Sequence, residues 1–576
     1  MKFFGTLCVL CGLVFPATAL DREAFTFIKY DLDVRVEPEQ QRLGVRGKIS
    51  LRNDSESAQK NLALQISSTL NWSSIQLDGQ PVEFVSQIYN SDIDHTGALA
   101  EAIVTLPRPV GPKQTVELEI GYEGIIPQDT TRLTRIGTPV DVAKHSDWDQ
   151  IGKSFTAVRG IGYVTWYPVA TEAASLSEGN SVFETVGRWK QRAARAEMMK
   201  IEFTHSDSSG ARPILFCNGR GAVRGFGQMG RMYEVQTECW FDSLATTVPL
   251  FLIGNFEAID KPAVNISFLP GHKFGAENYV LAVEETAPFV TKWFGDHKEK
   301  PFKAEVIELP DADAAPFESG KMRLMPLTGK DTTLLLAAIQ QLTHVAFPST
   351  RPWIYDGLAR YAQLGFLQEE EGRPAVVEYL LNHRGALAES EKQNTAQGNN
   401  NAAEHSLINA ADEFFVQAKA MSVWWMLRDM VGETALTAAL HNYKASDDKD
   451  ASYMQKLIEA QTHRDLQWFF DDWVYRDRGL PDFRIDSVYP RQLPTGGYMV
   501  TITVENLGDA GAEVPVVLHM ENGEATQKLL VPGRSKAAVR IPAATMPQQV
   551  TVNDGSVPES DMSNNIYKVE SAPNAQ

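Results

Sequence analysis

Residues Gln340–Gln363 read QQLTHVAFPSTRPWIYDGLARYAQ. From Leu334 to Phe347 the chain is rich in Leu, Ala and Gln and holds neither Gly nor Pro, which predicts a helix that stops before Pro348. Gln340 and His344, four residues apart, then share one face of that helix. Beyond Pro348, WIYDGLARYAQ predicts a second helix, and it carries Asp356 near its start. Amides, one imidazole and one carboxylate are thereby brought to a single helix pair.

A helix that holds catalytic zinc needs two imidazoles at the i, i+4 spacing, with a Glu after the first as general base towards the metal-bound water, the H-E-x-x-H pattern. Here Gln340 stands at the first imidazole position and Gln341 at the Glu position, which leaves His344. Read in this way, the run resembles the gluzincin aminopeptidases, the membrane alanine aminopeptidase family. It resembles in particular a bacterial branch with a short link between the two metal helices and a phrase near R-P-W, two residues, E-G-L-A. The resemblance puts Asp356 at the third ligand position, and eleven residues separate it from His344, fewer than in better-known members. Upstream, FVTKWFGDHKEKPFKAEVIELPD from Phe289 is similar to the family's helix ending in Phe-Gly and the strand that borders the substrate cleft. Downstream, VQAKAMSVWWMLRDMVGE is similar to its helix Tyr-x-Lys-Gly, with Lys419 kept, Gln417 at the Tyr that steadies the tetrahedral intermediate, and Ala420 at the Gly. The G-x-M-E-N reader of a free amino terminus has only PFESGKM as a counterpart, so Glu318 and Lys419 are the side chains that the resemblance assigns to the substrate cleft.

The likeness, which covers roughly residues 20 to 480, implies the fold more firmly than the chemistry. A Gln carbonyl is a neutral donor, whereas catalytic zinc draws three protein ligands from His and carboxylate, so His344 with Asp356 is a two-ligand remnant and Gln340 a degenerate third. Gln341 accepts no proton near neutral pH, a role worth about 10²- to 10⁴-fold in rate, and a missing oxyanion donor at Gln417 removes about 10²- to 10³-fold more. None of the 11 His is followed by Glu, so no shifted register restores the motif. Two alternatives stay open: a long-range site of His344, Asp356 and a distant residue such as His405, and, for His344 alone, a buried imidazole hydrogen-bonded to a neighbour.

The first 19 residues predict an export signal: Lys2 is the positive start, Phe3 to Phe15 an apolar stretch too short to span a bilayer, and Ala17-Thr18-Ala19 a cleavage site. The mature chain is expected in the periplasm or outside the cell, without a transmembrane segment. Cys8 and Cys11 leave with the signal, and Cys217 and Cys239, on apparently neighbouring strands, predict a disulfide, with two buried thiols as the alternative. A net charge of −19 and a pI near 5.1 argue against nucleic acid as a partner.

At 576 residues the chain exceeds one core, and a multidomain α+β architecture is expected. Residues 20–263 alternate apolar and polar in IKYDLDVRVEP, RGKISLRN and QTVELEIGYEG, and predict an antiparallel β domain similar to the family's N-terminal saddle. Within it TAVRGIGYVTWYP resembles a surface-exposed Trp-Tyr-Pro element, with ordinary core packing as the alternative. Residues 264–480 take a helical period, a mainly helical, thermolysin-like domain, interrupted by a polar run from Ser390 to Ser406 expected to lack order. Residues 481–576 predict an Ig-like β-sandwich, in which Asp554, Glu559, Asp561 and Asn564 form a turn-rich loop or a calcium site.

Three functions follow as expectations. The leading one is an exported, silenced relative, a pseudoenzyme with no cofactor, whose cleft takes a peptide or protein ligand. The second is an active metallopeptidase with zinc in a non-standard site around His344 and Asp356. The third is an envelope protein that binds through its C-terminal sandwich.

Overall fold

The computed structural model describes residues 20–569 apart from 180, 195–197, 208–212, 230–231, 242–243, 245, 296–302, 329–330 and 397–405. The predicted export signal lies outside the described residues.

Strand Phe25–Glu37 shows how the N-terminal region forms: Leu32, Val34 and Val36 are buried while Asp31, Asp33 and Arg35 face water. It is central in an eight-stranded sheet, antiparallel to Arg42–Asn53 and parallel to Met198–Asp207, with Lys29 opposite Met198 and Val36 opposite His205. The expected sheet was antiparallel throughout. A parallel pair needs a long crossover, and helix α1, Ser181–Ala193, lies on that crossover. Its Val182, Thr185, Val186, Trp189 and Ala193 are buried, a helical period inside a region read as strands. The Trp-Tyr-Pro element is core: Trp166 and Tyr167 are fully buried, with the rings edge to face at 5.0 Å.

Cys217 and Cys239 are joined by a disulfide, although their strands are not neighbours. Ile214–Cys217 belongs to a three-stranded sheet and Met232–Phe241 to the eight-stranded one, so the bond ties two sheets together.

The middle region opens with α2, Lys273–Phe294, which ends at Gly295 with a φ of 90°. A five-stranded sheet supports the helices, and its outer strand Phe317–Ser319 runs antiparallel to Met322–Met325. The two helices expected around Pro348 are α3, Asp331–Ala346, and α4, Pro352–Glu371, which starts on Pro352 because proline's missing N–H has no helical partner there in any case. Two more complete the frame, α5, Arg373–Ala396, and α6, Glu413–Val431, whose N-terminus is capped by Asp412. The polar run from Ser390 thus begins as ordered helix, since Leu387 and Glu391 still face the interior; 397–405, with His405, lie outside the described residues.

Towards the C-terminus two sheets of three and four strands pack against the helices. Trp473 donates from Nε1 to the Gly511 carbonyl at 2.8 Å, and Phe469, Phe470 and Trp473 share one apolar core with Val514, Val516 and Val550. Asp554 pairs with Arg373, Glu559 is buried against Asn553 and Asn565, Asp561 caps Ser563, and Asn564 donates to Asp482, so these side chains serve separate turns and do not converge. No helix among the described residues is long and apolar enough to cross a membrane.

Candidate functional site

Helix geometry separates residues that sequence distance places together. Gln340 and His344 project from α3 into a cleft of about 640 Å³ between α1, α4, α6 and strand Phe317–Ser319. Gln341, turned about 100° away around the helix, points instead at the sheet. Its Oε1 accepts from the Tyr279 hydroxyl at 2.9 Å, and its Nε2 donates to the backbone carbonyls of Glu305 at 2.7 Å and Lys321 at 3.2 Å. The side chain at the general-base position is a buried bracket between helix and sheet.

His344 is clamped between carboxylates. Nδ1 is 2.6 Å from Glu318 Oε1, Nε2 is 3.6 Å from Asp356 Oδ1, and the Tyr355 ring stacks on the imidazole at 4.1 Å. Burial opposes the charged form, but Glu318 and Asp356 outweigh it and raise the His344 pKa to about 9. Glu318 is itself lowered: burial would raise it, and His344 with Arg323, whose Nη1 donates to it at 2.7 Å, prevails.

The same helical argument sorts α6. Gln417 lines the cleft and accepts from Arg360 Nη2 at 3.4 Å. Lys419, two residues on and about 200° around, faces the interior, where Nζ sits 2.7 Å from both Glu391 and Asp477. The expectation that Lys419 borders the cleft is corrected: it forms ion pairs with two buried carboxylates. Glu318 does line the cleft, together with Gln340, His344, Asp356 and Gln417.

Sequence reasoning missed four charged side chains there. Arg360 lies one turn beyond Asp356 on α4, a spacing that was readable. Lys190 of α1 pairs with Glu413 at the start of α6 at 2.5 Å, and Arg351 pairs with Asp448 at 2.7 Å. Only folding brings these distant residues to one rim.

Zinc, implied by the resemblance, fits this set poorly. Of the three ligand positions, two carry donors of the usual kind, His344 and Asp356, and Gln340 adds a neutral carbonyl, while Glu318, the other carboxylate beside His344, is taken up by His344 Nδ1 and Arg323. The one group of three His or carboxylate ligands found close together among the described residues is elsewhere, at His145, Asp311 and Asp313.

A solved structure with the same architecture is that of Legionella pneumophila aminopeptidase A in complex with aspartic acid, at a TM-score of 0.58 and 11% identity over 94% of this chain. This is an aminopeptidase fold. The present chain spans 60% of that protein's length. A zinc metallopeptidase from Deinococcus radiodurans, bound to a Tyr-Ser-Ala substrate, is similar at 15% identity and a TM-score of 0.46, covering 80% of this chain and 96% of that one. No protein-family model and no curated protein sequence matches the chain. Within the aminopeptidase fold the side chains of this cleft are the chain's own, and its chemistry follows from them.

Proposed function

We propose that this is an exported protein of gluzincin aminopeptidase descent that holds a peptide or protein segment in its cleft without cutting it. The observation that carries the reading is Gln341: the side chain after the first ligand position is an amide committed to Tyr279 and two backbone carbonyls, so that position supplies no proton acceptor. Export is supported by the predicted signal and by the Cys217–Cys239 disulfide, which suits an oxidising compartment. The C-terminal sheets, read as an Ig-like sandwich, then serve as a support fused to the helical region through their common core.

The test is zinc titration by calorimetry together with aminoacyl and peptide reporters on the full chain. Neither zinc binding nor turnover is expected; turnover abolished by a chelator overturns the proposal.

A second reading has one observation in its favour. Among the described residues His344 Nε2 is buried without a hydrogen-bond partner and faces Asp356, while Glu318 holds Nδ1, as carboxylates commonly orient a ligating imidazole. Elemental analysis of natively purified protein decides it: a stoichiometric ion lost in His344→Ala favours a hydrolase with a substitute site.

A further inference from the structure

Four cationic side chains reach the cleft, and three of them are neutralised on the spot. Lys190 pairs with Glu413, Arg351 with Asp448, and His344 lies between Glu318 and Asp356. Arg360 has no carboxylate within ion-pair distance among the described residues. Its contacts are two carboxamide oxygens, Gln363 at 3.5 Å from Nη1 and Gln417 at 3.4 Å from Nη2, both at the outer limit of a hydrogen bond. Asp356, one helical turn away, is turned towards His344.

An unpaired guanidinium in a half-buried position is costly unless something completes it, and the chain as a whole carries a charge of −19, so acids to pair with it are plentiful elsewhere. The fork of a guanidinium matches a carboxylate through two parallel N–H···O bonds, a stronger arrangement than either amide contact provides. Gln363 fixes one side of the fork while its own NH2 is held by the Leu336 carbonyl at 2.9 Å, so the fork is positioned by the scaffold and not by a competing acid.

We propose that Arg360, set between Gln363 and Gln417, is the carboxylate receptor of the cleft, so that the ligand is a peptide selected by a carboxylate: its C-terminus or an acidic side chain. This rests on the peptide-binding reading above and extends it to the class of ligand. The free amino terminus, for which the chain has no standard reader motif, is then not the group that anchors the ligand.

Calorimetric titration of the full chain with four N-acetylated peptides tests this. Tetra-alanine is used as the free acid and as the amide, and Ala-Ala-Asp-Ala-amide is compared with its Asn counterpart. The acid is expected to bind about ten- to a hundredfold more tightly than its neutral partner, the difference that a charge-assisted hydrogen bond supplies. Preference within the first pair identifies a C-terminal carboxylate and within the second an acidic side chain. Arg360→Gln, with its folding checked by circular dichroism, is expected to erase that preference, while Arg360→Lys restores part of it. Equal affinity for acid and neutral peptides, or a preference that survives Arg360→Gln, overturns the assignment and leaves peptide binding standing. Absence of binding by every peptide overturns both.

Discussion

His344 is the side chain whose charge state sets the character of the cleft. Its pKa is raised from 6.5 in the unfolded chain to about 9 in the folded one, so the native state binds a proton that the unfolded state releases. The resulting stabilisation is complete below about pH 6.5 and is lost as pH rises through 9, on the order of 3 kcal/mol in all. Denaturant midpoints of the full chain measured between pH 6.5 and 9.5 are expected to fall accordingly, and His344→Gln to flatten that fall. Gln341 invites the opposite experiment. Gln341→Glu restores a carboxylate at the general-base position but sets it against the carbonyls of Glu305 and Lys321, which now receive its amide hydrogens. A loss of roughly 2–5 kcal/mol is expected in chemical denaturation, with no gain in peptide hydrolysis.

Helices α4 and α6 meet through Gly357, where an added Cβ would lie 2.6 Å from the Ala420 Cβ and 3.0 Å from the Trp424 ring. This contact explains why Ala is tolerated at position 420: its methyl fills the space that Gly357 leaves. Trp424 also stacks on Trp353 and donates to the Trp353 carbonyl at 3.1 Å, so the two helices have little freedom to part. Gly357→Ala is therefore expected to cost about 1–3 kcal/mol in denaturation and to displace Arg360 from Gln417, which span the same helix pair. Helix α1 shows what the strand-dominated reading of residues 20–263 passed over. Its buried positions recur at i, i+3 and i+4, a legible signal, yet its role depends on contacts across the chain: Lys190 with Glu413, and Gln191 donating to the Asn409 carbonyl at 2.8 Å.

The N-terminal sheets, the helical middle and the C-terminal sheets are joined by different devices. The disulfide ties two N-terminal sheets, and reducing it is expected to remove about 3 kcal/mol, read as a lower melting temperature in dithiothreitol. The C-terminal sheets share a single apolar core with the helices, and Arg373 bridges Asp429 and Asp554 at 2.9 and 3.0 Å. Deleting residues after Asp482 uncovers Trp473 and that core, so the shortened protein is expected to aggregate or to lose cooperative melting by circular dichroism.

Local physics determined much of this protein in advance. Proline placement, helical period and strand alternation act over a few residues, so the helix pair around Pro348, the β–helical–β succession and the amides at positions 340, 341 and 417 were readable from the order of amino acids. Folding alone decided which of those side chains meet. One residue along a helix turns a side chain by about 100°, and that rotation sends Gln341 to the sheet and Lys419 to a buried acid pair while Gln340, His344 and Gln417 enter the cleft. That Arg360 meets no carboxylate among the described residues is likewise a tertiary fact, because it depends on where Asp356, Glu413 and Asp448 have been drawn.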